Sequence, residues 1–354
     1  TSLWFAANAA IPEISQILGQ PELTAPITIA VQFGFISGTL LFAVFSIPDR
    51  FSPRWVFMVS AILASFFNLF IVLIPLQLGV LLICRFFVGF FLAGIYPVGM
   101  KIAADYFEKG LGTALGFLVG ALVLGTAFPH LIRGLELQLS WEILFWTTSA
   151  LAIIGGLIVG IFVPDGPFRK QNLKFEWSLI PNLSKIPALK SAASGYFGHM
   201  WELYTFWAFI PGLIAWFSIQ DIQSSQNAYL SFAVIAVGAI SCAVGGLISP
   251  RIGSEKVALT ALLGSGICCI LVLIIPTEPH YFWIIFLLIW GMLVTADSPQ
   301  FSTLVAQATP AQYKGTALTL VNCLGFALTI VSIQVGQLLL KWLSIEQMIS
   351  LLSI

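Results

Sequence analysis

Leu78-Gly79-Val80-Leu81-Leu82-Ile83-Cys84-Arg85-Phe86-Phe87-Val88-Gly89-Phe90-Phe91-Leu92-Ala93-Gly94 carries one charged side chain, Arg85, in seventeen residues. It lies inside an apolar segment over 77–104, and a helix needs about twenty such residues to cross the hydrocarbon core. The same pattern recurs along the chain. Breaks at Pro, Gly and charge clusters give spans near 1–18, 24–46, 54–74, 77–104, 111–131, 141–163, 190–216, 227–249, 256–275, 281–304 and 315–340. A last run, Glu346 to Ile354, is too short to cross. The expected fold is therefore all-α: a membrane bundle of twelve helices, the first and last incomplete in this chain.

Composition agrees. Of 354 residues 59% are hydrophobic and 8% charged, with mean hydropathy +1.00, whereas a soluble domain carries roughly 25% charged residues. Such a surface excludes a soluble enzyme, a nucleic-acid binder and a disordered scaffold. The net charge of zero offers no basic field to nucleic acid. The expected surroundings are a lipid bilayer, with no nucleic-acid partner. Cys84, Cys242, Cys268, Cys269 and Cys323 all fall in apolar runs, where a thiol acts as a small hydrophobe.

Basic residues set the orientation. Loops on one side hold Arg50, Arg54, Lys109, Arg169, Lys170, Lys174, Lys185, Lys190, Arg251, Lys256 and Lys314; the other side holds Arg133 and Lys341. Lys/Arg excess marks the cytoplasmic face. The loop Pro12 to Leu23 is then external. The stretch 164–189, with Pro164, Pro167, Pro181 and Pro187, reads as a cytoplasmic linker, with room for a short surface helix. Trp55, Trp141, Trp216 and Trp342 stand near span ends, as interfacial anchors do.

The chain also repeats itself. Pro12 corresponds to Pro211, Arg50 to Arg251 and Pro97 to Pro299, at offsets of 199, 201 and 202. Gly112-Thr113-Ala114-Leu115 returns as Gly315-Thr316-Ala317-Leu318, 203 residues on. An ordered series at nearly constant offset fits two halves of parallel topology, a known transporter architecture. The halves are residues 1–163 and 190–354.

Several motifs carry a resemblance. Pro48-Asp49-Arg50-Phe51-Ser52-Pro53-Arg54 follows span 2, and Gly246-Leu247-Ile248-Ser249-Pro250-Arg251-Ile252-Gly253 follows span 8. Span 4 has Arg85-Phe86-Phe87-Val88-Gly89, and span 5 has Gly116, Gly120 and Gly125. In these features the chain resembles members of the major facilitator superfamily over its whole length. The resemblance implies two six-helix halves, with spans 1, 4, 7 and 10 around a central cavity. It implies a secondary transporter, or permease, that moves a small solute by rocker-switch alternating access. It also implies that Asp49, Arg50, Arg54 and Arg251 belong to cytoplasmic gating loops. A monomer in a bacterial inner (plasma) membrane is the expected setting. Other readings are a small-molecule or drug efflux antiporter, and a sensor on the same fold that binds without flux.

An ionisable side chain within a membrane costs roughly 2.5–3.5 kcal/mol on insertion scales, so each one is a functional candidate. Arg85, Glu202 and Asp297 are deep, with His199 three residues before Glu202 on the same helix face and Lys101 near the inner end of span 4. The resemblance puts Arg85, Glu202 and Asp297 around one pathway. Burial raises a carboxyl pKa and a cation lowers it. A carboxyl between those influences can load and release a proton as its exposure alternates. Glu202 is the leading proton-coupling candidate, followed by Asp297 and His199. The competing role is a fixed carboxylate paired with Arg85 or His199. Arg85 is a candidate grip for a small organic anion, against a role in which it bonds loop carbonyls. Lys101 and Asp105, four apart, are expected to pair at the interface.

Asn8, Gln32, Tyr96, Tyr204, Trp207 and Asn322 are candidate substrate contacts, with interhelical hydrogen bonding or packing as the alternative. A sparsely charged, aromatic cavity suits a small organic anion or a neutral amphiphile better than a sugar. His130, His199 and His280 lie on different elements without metal-ligand spacing, and no Walker-type phosphate loop is present. No cofactor, metal or enzymatic activity is expected.

Overall fold

Prolines and glycines place the breaks in an otherwise continuous run of apolar helix. The computed structural model describes residues 2–107, 110–135, 140–169, 183, 185–218, 222–310 and 314–353. Lys109, Lys170, Lys174, Pro181 and the body of the linker lie outside the described residues, as does the side chain of Lys314.

The first half comprises α1 (Ala6–Ala9), α2 (Ile11–Leu18), α3 (Thr24–Val44), α4 (Ile47–Arg50), α5 (Pro53–Leu73), α6 (Leu78–Leu92), α7 (Tyr96–Tyr106), α8 (Leu111–Gly134) and α9 (Glu142–Phe162). The second comprises α10 (Pro187–Phe217), α11 (Ser224–Ile252), α12 (Ser254–Leu271), α13 (Tyr281–Ala296), α14 (Ser298–Ala308), α15 (Lys314–Leu339) and α16 (Ile345–Ser350), with a 3₁₀ turn at Leu351–Ser353. Among the described residues nine segments are long and apolar enough to cross a membrane, α6 with α7 and α13 with α14 each counting as one. Large apolar side chains such as Phe66, Ile83, Phe162, Ile240 and Leu263 are exposed on the outer faces, as a lipid solvent allows.

Three expectations are corrected. Spans 4 and 10 are broken rather than continuous, because Pro97 and Pro299 sit in the first turns of α7 and α14. A proline there has no donor to lose and a φ already suited to starting a helix. Span 1 is two short helices, and Pro12 opens α2 rather than a loop. The seventh span begins at Pro187, three residues before the expected 190.

The halves share a packing device that the repeat did not announce. An ideal Cβ at Gly89 of α6 would lie 1.8 Å from the Val31 carbonyl oxygen of α3. At Gly291 of α13 it would lie 2.0 Å from the Val234 oxygen of α11. Gly89 and Gly291 are 202 residues apart, as Pro97 and Pro299 are. Each half therefore crosses its second and fourth spans backbone against backbone at the same place, where only glycine fits.

Among the described residues two seams join the halves: α8 against α11, the most extensive helix pairing, and α3 against α15. Gly116 and Gly120 of α8 approach Cys242, Gly246 and Ala239 of α11. The Thr113 hydroxyl donates to the Gly246 carbonyl at 2.9 Å. At the far end Gly134 packs on the Tyr229 ring. The seam is closed from the basic end to the opposite one.

Candidate functional site

Asp297 is the residue at which span 10 breaks. Its carbonyl accepts from the Gln300 and Phe301 amides at 2.9 and 3.0 Å, which starts α14. Its carboxylate Oδ1 stands 2.7 Å from His199 Nδ1 on α10, each side chain being 1% exposed. Asp297 Oδ2 and His199 Nε2 face no partner among the described residues, and neither amide atom of Gln300, one turn on, has one. Leaving such atoms unpaired costs about 1–3 kcal/mol each, so this is a place where water, a proton or a ligand group is stabilising.

Glu202 is elsewhere. Although one turn from His199, it points into the second half. There it accepts from Trp290 Nε1 at 2.8 Å, the Ser265 hydroxyl at 2.9 Å and the Cys269 thiol at 3.4 Å. Neither Arg85 nor His199 pairs with it. Both of its oxygens are engaged, and it ties α10 to α12 and α13.

Arg85 is fully buried in the first half. Its guanidinium donates to the Leu3 carbonyl at 2.9 Å, to the Trp4 carbonyl, and to Asn68 Oδ1 at 3.5 Å. The structure thus does not bring Arg85, Glu202 and Asp297 to one pathway. They occupy three separate polar clusters, and Arg85 bonds loop carbonyls.

The cavity lies between the halves. Tyr96, Val119 and Val123 form its wall from the first half; Tyr196, Tyr204, Trp207 and Phe326 face them. Thr295 and Ser298, flanking the Asp297 break, complete one side, and Met200 adjoins His199. Its volume is about 20 Å³, by a measure in which one water needs roughly 10–15 Å³. This conformation holds a water or two and no solute.

Of the sequence candidates, Tyr96, Tyr204 and Trp207 line this cavity. Asn322 accepts from the Tyr196 hydroxyl at 2.9 Å and so positions a lining residue. Asn8 donates to Thr28 at 2.7 Å, and Gln32, one turn further along α3, is buried with both amide atoms unpartnered. Trp4 connects that region to the cavity, its ring 5.1 Å from Phe35 and 5.5 Å from Tyr204. Tyr196, Thr295 and Ser298 were not among the candidates. For the two hydroxyls, the signal was their position either side of Asp297.

At the basic end Asp49 pairs with Lys101 at 3.0 Å, while Lys101 and Asp105 are 3.7 Å apart. The expected Lys101–Asp105 pair forms as the longer arm of a three-residue cluster. Ser52 donates to Asp165 at 2.5 Å, and Arg169 reaches both Asp165 and the Phe51 carbonyl, at 2.6 and 2.8 Å. The loop after span 2 is thus bound to the end of span 4 and the start of the linker. Arg54 lies over the Trp55 ring at 5.3 Å; Arg50 and Arg251 are exposed. Trp55, Trp216 and Trp342 are exposed, as anchors would be, whereas Trp141 packs edge-on against Phe145. The five cysteines are free and buried. Among the described residues no group of three His, Cys, Asp or Glu is placed to hold a metal.

Residues 1–333 match the family model described as Major Facilitator Superfamily. A stretch of 96 residues is 35% identical to a Didymella fabae protein named "Ascochitine biosynthesis cluster MFS transporter", covering 26% of this chain and 19% of that protein. A stretch of 141 residues is 30% identical to the "MFS-type transporter acdC" of Aspergillus candidus, covering 39% of this chain and 27% of that one. The matched stretches thus span less than a third of either relative's length.

Proposed function

The chain belongs to the Major Facilitator Superfamily, and from that premise we propose that it is a secondary active transporter whose halves rock about the shared cavity. It is an integral multi-pass membrane protein. The observation that carries the reading is the cavity's joint construction: α7 and α8 supply one wall, α10, α13, α14 and α15 the others. Any rotation of one half against the other changes both its volume and its openings. A volume of about 20 Å³, against the roughly 300–1,000 Å³ of ligand pockets, fits a closed state between two open ones. The basic loops face the cytoplasm in this reading. Both named relatives are fungal and lend no support to a bacterial inner membrane.

Protons are the coupling ion in this reading, and Asp297 with His199 is their site. Both groups adjoin the cavity wall, Asp297 sits at a helix break, and each keeps an unpartnered atom. Glu202, the stronger candidate on sequence, has both oxygens engaged and serves as a tie between helices.

The test needs no substrate. Ser298→Cys places a thiol on the cavity wall, and an impermeant maleimide is applied from either face of sided vesicles. An ideal Cβ at Gly112 lies 3.6 Å from Ser249 Oγ, close to disulfide reach. A Gly112→Cys/Ser249→Cys pair can therefore lock the basic end. Alternating access predicts labelling at position 298 from both faces, and from the external face alone after oxidation. Labelling from one face only, indifferent to the lock, would overturn the reading.

A further inference from the structure

Arg85 and Glu202 are committed to other partners, and no charged side chain stands in the described cavity lining, which restricts what can enter it. Among the described residues that line it none is Asp, Glu, Lys, Arg or His. The nearest charged candidates are the His199–Asp297 pair behind the Ser298 wall. Arg85 is spent on Leu3, Trp4 and Asn68; Glu202 is spent on Trp290, Ser265 and Cys269. In the described lining an entering anion meets no cation, and an entering cation meets aromatic faces but no carboxylate. Burying a charge without a partner is strongly unfavourable.

What the cavity does offer is aromatic faces and a few hydrogen-bonding groups. Tyr204 lies 5.4 Å from Trp207, edge-on, and 5.1 Å from Phe326, tilted. Such a box takes a flat ring in stacked or edge-on contact. Trp207 is 1% exposed and its Nε1 donor has no partner. The Ser298 hydroxyl is opposite in chemistry, able to donate or accept.

We propose that the solute is a neutral, flat aromatic molecule bearing a hydroxyl or carbonyl group, with the carbonyl or hydroxyl oxygen accepting from Trp207 Nε1. This rests on the transporter reading and narrows its substrate from an organic anion to an uncharged amphiphile. The ring opens the collapsed aromatic box as it enters, and charge is carried separately by the pair at the span 10 break.

The probes are three compounds on one scaffold: methyl 6-hydroxy-2-naphthoate, 6-hydroxy-2-naphthoate, and the corresponding naphthylmethyl trimethylammonium. Binding to the full chain in nanodiscs is measured by calorimetry, with empty nanodiscs subtracted. The ester is expected to bind, with the carboxylate and the ammonium at least about 100-fold weaker. Trp207→Phe, which keeps an aromatic face and removes the donor, is expected to weaken the ester about tenfold, with binding measured below the variant's own melting temperature. Tyr196→Leu gives a second, independent loss. Equal or tighter binding of either charged probe, no binding of any probe, or ester binding indifferent to both variants would overturn the proposal. Failure of the transporter reading is separate: the ester would bind, yet labelling at position 298 would never alternate between faces.

Discussion

Two classes of glycine separate the fold from its movement. A carbon needs about 3.3 Å from a carbonyl oxygen. The Cβ of Gly89→Ala would lie 1.8 Å from the Val31 oxygen, a deficit of roughly 1.5 Å. The atom it meets is backbone, inside one half, and α3 and α6 cannot separate without disturbing the packing around them. Overpacking of this kind costs about 3 kcal/mol or more, so melting should fall by about 5 °C or more. Gly116→Ala meets the Cys242 oxygen at 2.8 Å and the Gly246 Cα at 2.9 Å, a deficit from the oxygen of roughly 0.5 Å. Here the obstruction is in the other half, so the strain is relieved by moving the halves apart at the basic end. A bias of about 1 kcal/mol shifts a two-state equilibrium about fivefold. The assay is melting in detergent alongside maleimide labelling of Ser298→Cys from each face. Gly89→Ala should melt early with its labelling ratio unchanged. Gly116→Ala should melt near the parent with cytoplasmic labelling raised about fivefold. Gly198→Ala, with nothing within 4 Å of its Cβ, is the control. If Gly116→Ala melts as early as Gly89→Ala and leaves labelling unchanged, the halves are not separable bodies and the rocking argument fails.

Asp297→Asn should abolish the pH dependence of labelling at position 298, while Glu202→Gln keeps it and lowers the melting temperature; the reverse pattern would move coupling to Glu202. Arg85→Lys replaces the two guanidinium nitrogens that bond the Leu3 and Trp4 carbonyls with a single ammonium on a flexible stem, so hydrogen exchange over residues 3–8 should quicken, a loss of about 1.5–3 kcal/mol for a charged bond. Unchanged exchange would show that Arg85 is not the brace of span 1. Lys101→Met should speed exchange in residues 46–52 but cost at most about 1 kcal/mol, since both partners are 19% exposed.

The repeat was legible because it is written in residues with backbone consequences. Pro97 and Pro299 mark equivalent places in spans 4 and 10, and Gly112 and Gly315 open equivalent spans. Membership of the fold followed from these positions and from spans of the right length. The grouping of side chains was not legible. His199 and Glu202 share a helix face by spacing, yet a small rotation sends one to Asp297 on α14's threshold and the other to Trp290 on α13. Helical spacing gives a sector, not a partner. Trp290 and Ser265 are ordinary residues in apolar spans, and only tertiary packing reveals them as the donors that occupy Glu202. Arg85 was equally ambiguous, because its partners are backbone carbonyls, which every sequence supplies.

The two halves share a scaffold and differ in where they place charge. By the offset of Pro97 and Pro299, Asp297 stands where the first half has Ile95, and Arg85 stands where the second has Leu287. Glu202 is 199 residues after Leu3, as Pro211 is after Pro12, and Arg85 bonds the Leu3 carbonyl. Each half thus joins its first and fourth spans through buried polar contacts at this place, Arg85 to backbone in one and Trp290 to Glu202 in the other. Only the second half adds an acid at its break. Ile95 is 8% exposed, and the first break therefore contributes shape without titration. Ile95→Asp supplies the missing acid without a histidine facing it. In an Asp297→Asn background it should lower stability, since an unpaired buried carboxyl costs several kcal/mol, and it should not restore pH-dependent labelling. Restored dependence would mean that any acid at either break suffices, and that His199 has no part in holding the proton.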